Sequence, residues 1–305
     1  MAETEVVYPK KSRELNDLLM DSTRWDDFPF RDGDIVIGTW AKSGTTWTQQ
    51  IVGQLVFNAE EHLAVMDLAP WVDFRVAPLE HVLEVVEAQT HRRFLKTHLP
   101  ADALTISPKA RYIFLARGGL DTLWSWYHHH ANLTPEVYEL VNSMRGEHSG
   151  PPIQPPIEDR RQYLRDWLNN DGFPMGPFWR TTQTWWDIRN VPNVLLVHFN
   201  NLKADMEGEI RRIAAFLEIE IDEERWPAIV EHCTFDYMKK NAEDLSPDEY
   251  SKIFIGGLRT FVNKGTNGRW RDTFTDEDVE LYEKHAGENL SPDCKHWLET
   301  GEMPR

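Results

Sequence analysis

The sequence predicts an α/β fold, a single domain over residues 1–305 in which a central parallel β-sheet is flanked by helices. Three observations point there. Short apolar runs bounded by turn residues alternate with longer helix-compatible stretches, and strands that alternate with helices pair in parallel. The first apolar run, Ile35-Val36-Ile37, feeds directly into a loop rich in Lys, Ser, Gly and Thr and then into a helical stretch. A length of 305 residues, 41% of them hydrophobic and 13 of them Trp, is enough for one large core.

The expected strands are Ile35 to Thr39, Arg93 to Thr97, Arg111 to Ala116 and Val194 to His198. Each is mostly apolar, the pattern of a strand covered on both faces. Helices are expected at Thr45 to Phe57, Leu79 to Ala88, Leu120 to Ala131, Arg160 to Leu168, Gly176 to Arg189 and Met206 to Leu217. No internal repeat is present. The stretch Gly146 to Pro156, GEHSGPPIQPP, has too many prolines and glycines for regular structure. It reads as a mobile loop beside the site, with a plain surface excursion as the alternative. In a parallel sheet, ligands bind beyond the carboxyl ends of the strands, and Lys42, His98 and Arg117 all lie just past such ends.

The segment following the first strand, AKSGTTW, is built to hold an anion. A strand–loop–helix aims backbone N–H groups and the positive end of a helix dipole at one spot. Lys42 adds a charge, while Ser43, Thr45 and Thr46 add hydroxyl donors. Gly44 lets the backbone approach a phosphate closely. The order departs from a Walker A loop, in which the lysine directly follows the second glycine; here Lys42 precedes Gly44. The loop is therefore P-loop-like without the nucleoside triphosphate pattern.

AKSGTTW closely resembles the 5′-phosphosulfate loop of the cytosolic-type sulfotransferases. Three later segments match in the family's order: LKTHLP at Leu95 to Pro100, LARGGLDTLWSWYH at Leu115 to His128, and FVNKGTNGRWRDTFT at Phe261 to Thr275. The resemblance implies a donor, 3′-phosphoadenosine 5′-phosphosulfate (PAPS), leaving as 3′-phosphoadenosine 5′-phosphate (PAP). It implies transfer of a sulfuryl group to a hydroxyl or amine of a small, aromatic or apolar acceptor, with no metal.

Roles for single residues follow. Such a transfer needs a base for the acceptor proton and positive charge where the leaving phosphate develops charge. His98 suits the base, since an imidazole titrates near pH ~6.5. Lys42 suits the leaving oxygen, and by resemblance Lys96 contacts the transferring group. Arg117 and Ser125 match the positions holding the 3′-phosphate, with Asp121 on a further matching position. Trp47 and Trp179 match rings that sandwich adenine. Lys264 and Gly265 match the glycine loop's phosphate contacts. Trp71 and Phe74 match the acceptor wall, and His129 is implied to touch the acceptor. The His128-His129-His130 run has the composition of a metal tract. Adjacent helical residues point roughly 100° apart, so the three do not converge easily on one ion.

The chain departs from the family pattern in several places. Trp40-Ala41 stands for Tyr-Pro before Lys42, which loosens the turn and changes one wall near the acceptor. Asn263 occupies a position that commonly carries an arginine for the 3′-phosphate. Gly118-Gly119 follows Arg117 where bulkier residues are usual, and Arg271 replaces a lysine. Asp276 alters the family's C-terminal dimer motif, so a homodimer of that kind is in question.

A formal net charge of −17 argues against nucleic acid as a partner. The N-terminus MAETEVVYPKK has no apolar leader, and no apolar run is long enough to span a bilayer, so no membrane partner is expected. Two cysteines, Cys233 and Cys294, favour a reducing, cytoplasmic setting. Two other functions fit the same loop. A small-molecule kinase would need ATP and Mg²⁺, and a non-catalytic nucleotide sensor would have no use for His98.

Overall fold

The computed structural model describes residues 6–146, 150–246, 252–262 and 264–304. Its sheet has four parallel strands, β1 (Ile35–Thr39), β2 (Phe94–Thr97), β3 (Arg111–Ala116) and β4 (Val194–His198), in the order β2-β1-β3-β4. The register pairs Ile37 with Lys96 and Ile113, and Ala116 with His198. The helices in chain order are α1 (Thr45–Val56), α2 (Val65–Leu68), α3 (Leu79–Ala88), α4 (Gly119–Ala131), α5 (Pro135–Ser143), α6 (Arg160–Asn169) and α7 (Phe178–Asp187). They continue as α8 (Phe199–Ala204), α9 (Met206–Leu217), α10 (Trp226–His232), α11 (Phe235–Lys240), α12 (Leu258–Phe261), α13 (Asp276–Asn289) and α14 (Pro292–Thr300).

Strand residues alternate between two cores because successive side chains point to opposite faces. Val36, Leu95, Tyr112, Phe114 and Leu196 enter the larger core with the aromatic residues of α4, α6 and α7. Ile35, Ile37, Phe94, Ile113, Leu115 and Val197 enter a second core with α1, α9 and α10. Both faces are covered, which is why the strands read as near-continuous apolar runs.

The expected strands form, with β2 starting one residue later than expected. α7 begins at Phe178 rather than Gly176 because Pro177 holds an extended backbone, ψ 104°, just before it. Trp40 is anchored by its side chain. Its ring is buried, edge-on to Trp126, Trp167 and Phe178, and its Nε1 donates to the Gly176 carbonyl at 3.2 Å. Within Gly146 to Pro156, residues 147–149 lie outside the described residues. Beyond them Ile153 is tied to α5 by two bonds with the Asn142 amide, each 2.9 Å. Asn263 also lies outside the described residues. Among the described residues no helix is long and apolar enough to cross a membrane.

The connection from β1 leads to β2 on one side, while β3 lies on the other. The crevice above β1 and β3 is thus the point where the sheet order reverses, the place such folds bind ligands. Lys42 follows β1 and Arg117 follows β3, so both stand at its lip.

Candidate active site

A cavity of about 550 Å³ opens over the carboxyl ends of the strands. Of the residues expected in the site, Lys42, Gly44, Thr45, Thr46, Trp47, Lys96, His98, Arg117, Ser125, Gly265, Trp71, Phe74 and His129 line it. Segments far apart in sequence are brought to one place.

The loop after β1 is shaped for an anion. Lys42 takes the left-handed region at φ 68°, and Ser43 closes a turn onto the Trp40 carbonyl at 3.2 Å. Gly44 sits at φ 120°, and a Cβ there would lie 2.6 Å from Leu115, so only glycine fits. Gly44 offers no side-chain cap to α1, which leaves the first-turn N–H groups of a 12-residue helix for a ligand. Burial and the neighbouring Arg117 lower Lys42 to about 7. Its Nζ lies 4.1 Å from the Phe261 ring centroid. Arg117, buried and pushed down to about 10, remains a cation at neutral pH. An uncapped helix start beside a lysine and an arginine suits a phosphate or phosphosulfate.

His98 is 6% exposed. Its Nδ1 lies 2.7 Å from the Thr39 carbonyl and 3.1 Å from Thr39 Oγ1. A carbonyl only accepts, so Nδ1 carries the proton and Nε2 keeps its lone pair. Thr39 Oγ1 is in turn 2.6 Å from Thr45 Oγ1, which ties the imidazole to the anion loop. Burial, followed by the nearby Lys96 charge, lowers His98 to about 3, and Lys42 adds to the shift. In the resting site His98 is a neutral imidazole.

The side of the cavity at Trp71 and Phe74 is aromatic. Trp71 and Phe74 stack at 4.3 Å with an interplanar angle of 9°, and the edge of Trp71 meets His98 at 4.7 Å. Trp71 is fixed by Asp73, a fully buried carboxylate that accepts from Trp71 Nε1 at 2.6 Å and Trp25 Nε1 at 3.0 Å. Lys96 lies with its Nζ 5.0 Å from the Trp71 ring. His129 stacks on Trp126 and faces Phe254 and Phe261. Burial holds its pKa well below the usual value. Its neighbours diverge: His128 meets Trp124 and Tyr127, while His130 bonds the Tyr163 hydroxyl at 3.1 Å. Among the described residues no three His, Cys, Asp or Glu are grouped to hold a metal.

Three expected residues do not line the cavity. Ser43 is buried behind the loop, and Lys264 is exposed. Trp179 requires a correction as an adenine wall. It is 2% exposed and packed against Trp167, Phe178 and Tyr282, because α7 turns this part of its surface into the larger core. At the cavity wall Trp47 is joined instead by Thr234, Phe235 and Met238. Trp47 is oriented by an Nε1 bond to the Cys233 carbonyl at 2.8 Å, beside these residues. Thr234 caps α11, accepting from the Tyr237 N–H at 3.2 Å. That Thr-Phe pair at a helix start was the available sequence signal, and it is a weak one. Asp73 left no local signal at all.

Residues 32–292 match the family model described as the sulfotransferase domain. The chain belongs to the sulfotransferase family. This sulfotransferase is 30% identical over 309 residues to a glycolipid sulfotransferase of Mycobacterium bovis, with 93% of each chain covered. It is 27% identical to human sulfotransferase 1E1, covering 94% of this chain and 96% of the relative. A retinol dehydratase solved with androsterone and the inactive cofactor PAP shares the fold at a TM-score of 0.67 and 23% identity, covering 89% of this chain and 84% of that one. Mouse sulfotransferase SULT7A1, solved with PAP, does so at 0.67 and 20%, covering 92% and 91%. The sulfotransferase's P-loop-like architecture is thus that of the family.

Proposed function

We propose that this sulfotransferase moves a sulfuryl group from PAPS to a hydroxyl of a small aromatic or apolar acceptor, with His98 as general base. The observation that carries the reading is the fixed tautomer of His98. With Nδ1 held by the Thr39 carbonyl, the basic Nε2 belongs to an imidazole that borders the cavity beside Lys42 and Lys96. Bound here, PAPS supplies the sulfuryl group and departs as PAP.

Every remaining part of the chemistry falls to side chains of the chain. Lys42, Thr45, Thr46 and the first turn of α1 hold the 5′ end. Arg117 and Ser125 hold the 3′-phosphate, and Trp47 with Phe235 borders the base. His98 Nε2 takes the acceptor's proton as the new oxygen–sulfur bond forms. Lys42 stabilises charge developing on the leaving oxygen, the kind of contribution that preorganised cations make in a water-poor site. An anion between Lys42 and Lys96 also offsets the two charges that depress His98, so the imidazole becomes a better base once the donor is in place.

The acceptor follows from the walls. Trp71, Phe74, Trp126, Val137, Val141 and Ile153 present rings and aliphatic groups, which suit an apolar or flat molecule. The relative named for glycolipids and the neighbour solved with androsterone agree with an apolar acceptor. The two cysteines, both buried and unpaired, fit a cytoplasmic setting.

Incubation with radiolabelled sulfuryl donor and a panel of phenols, alcohols and amines tests this reading. Label is expected in an organic product with EDTA present. Activity lost in chelator and restored by Mg²⁺ with ATP would replace it with the kinase reading.

A further inference from the structure

The loop that follows α12 grips the guanidinium of Arg117. Nε donates to Asn267 Oδ1 at 2.9 Å, and Nη2 donates to the Thr266 carbonyl at 3.1 Å. Asn267 in turn donates through Nδ2 to Asn200 Oδ1 at 2.7 Å. Asn200, in the first turn of α8, donates to the main-chain carbonyls of Glu299 and Thr300, each at 3.4 Å. The same terminal stretch is fastened on both sides of that contact. His198 Nε2 donates to the Leu298 carbonyl at 2.9 Å, and Asn201 Nδ2 donates to the Gly301 carbonyl at 3.0 Å.

This segment also reaches the start of α4, the helix that carries Asp121, Ser125 and His129. The partly buried Glu299 carboxyl accepts from the Tyr282 hydroxyl. A Cβ on Gly119 would lie 2.2 Å from that hydroxyl, so the second glycine after Arg117 is there to admit the Tyr282–Glu299 pair. The departure at Gly119 is thereby accounted for by packing.

We propose that Asn267 and Asn200 are positioning residues of the donor site, linking Arg117 to the segment Leu298–Gly301 so that this segment orients the 3′-phosphate clamp. The inference rests on the reading of Arg117 as that clamp. The chemistry of the link favours it. An amide oxygen accepts from Nε without neutralising the guanidinium, which a carboxylate would do. Asp121, the carboxylate whose charge acts on Arg117, is bonded to the Gly268 N–H at 2.6 Å, holding the other end of the same loop. Arg117 also donates through Nη1 to the Lys42 carbonyl at 3.3 Å. Of the five N–H donors of an arginine, the bonds through Nε, Nη1 and Nη2 engage three, and two remain for a ligand. Arg117 borders the cavity, so its orientation decides whether those two face the phosphate.

Calorimetric titration of adenosine 3′,5′-bisphosphate and adenosine 5′-monophosphate separates positioning from general support. Asn267 is exposed, so its variants are expected to fold with an unchanged melting temperature. Asn267→Ala and Asn200→Ala are expected to weaken the bisphosphate about tenfold, the scale of one bond to a charged partner, and to leave the monophosphate unaffected. Asn267→Asp keeps the shape but sets a negative charge against Nε, and is expected to lose more. Native-like bisphosphate affinity in both alanine variants, with loss confined to Arg117→Ala, would overturn the positioning link and leave the clamp. An Arg117→Ala protein that still prefers the bisphosphate would overturn the clamp itself.

Discussion

The two ends of the cavity are made differently. At the end proposed for the donor and the base, the polar groups sit immediately beyond strands: Lys42 after β1, His98 after β2, Arg117 after β3. Their placement is set by the sheet, and their effect is electrostatic. At the acceptor end the wall is gathered from Leu19, Trp71, Phe74, Val137, Val141, Ile153 and Met175, which come from the N-terminal segment, α5 and loops. Apart from Trp71, which bridges to Lys96 of β2, these residues lie outside the sheet, and their effect is one of shape and area. On the proposed assignment of the two ends, charge is held by the rigid sheet and acceptor fit by the peripheral segments.

Substitutions at the two ends should therefore fail in different ways. The largest effect belongs to His98→Ala. Loss of the base is expected to lower kcat by about 10²–10⁴-fold while calorimetric affinity for PAP is retained. A variant unable to bind PAP would make His98 a structural part of the β1–β2 junction and erase the distinction. The smaller effect belongs to the opposite end. Val141→Ala is expected to raise the acceptor KM by a factor matching about 1 kcal/mol, with donor KM unchanged. A change in donor KM would show that the two ends are mechanically coupled through α5 and α4.

The same division governs what could be read in the sequence. The strands and the anion loop were readable because buried parallel strands are short apolar runs and because Lys42-Ser43-Gly44-Thr45-Thr46 is a contiguous pattern. Six of the longer helices, α1, α3, α4, α6, α7 and α9, were readable for the same local reason, whereas the 14-residue α13 was not among those expected. α5, α8 and the four-residue α2 and α12 are short, and their stability comes from packing rather than propensity, so periodicity left little trace. Tryptophans were the hardest residues. Trp47 and Trp179 both lie on helices in aromatic-rich sequence, yet one borders the cavity and the other is enclosed by Trp167, Phe178 and Tyr282. The choice between them depends on which helix face meets which core, a fact of tertiary packing. Phe235, Asp73 and Asn267 escaped notice for a related reason. Asn267 acts on Arg117, 150 positions away, and Asp73, though only two positions from Trp71, acts on it from a buried place that no motif marks.

The central claim is that donor capture relies on a lysine depressed by its surroundings, and that the base is already neutral. The pH profile of kcat/KM for the donor tests this most directly, because it reports ionisations of the free enzyme. Lys42, lowered to about 7, captures an anion as the protonated cation. Donor binding therefore raises its pKa, and above pH 7 binding must take up a proton. The rate should accordingly fall as pH rises through about 7, and Lys42→Arg, which stays charged, should lose that limb. His98, lowered to about 3, should give no acid limb between about pH 5 and 7. An acid limb near pH ~6.5 that disappears in His98→Asn, together with a flat profile above pH 7, would contradict the account.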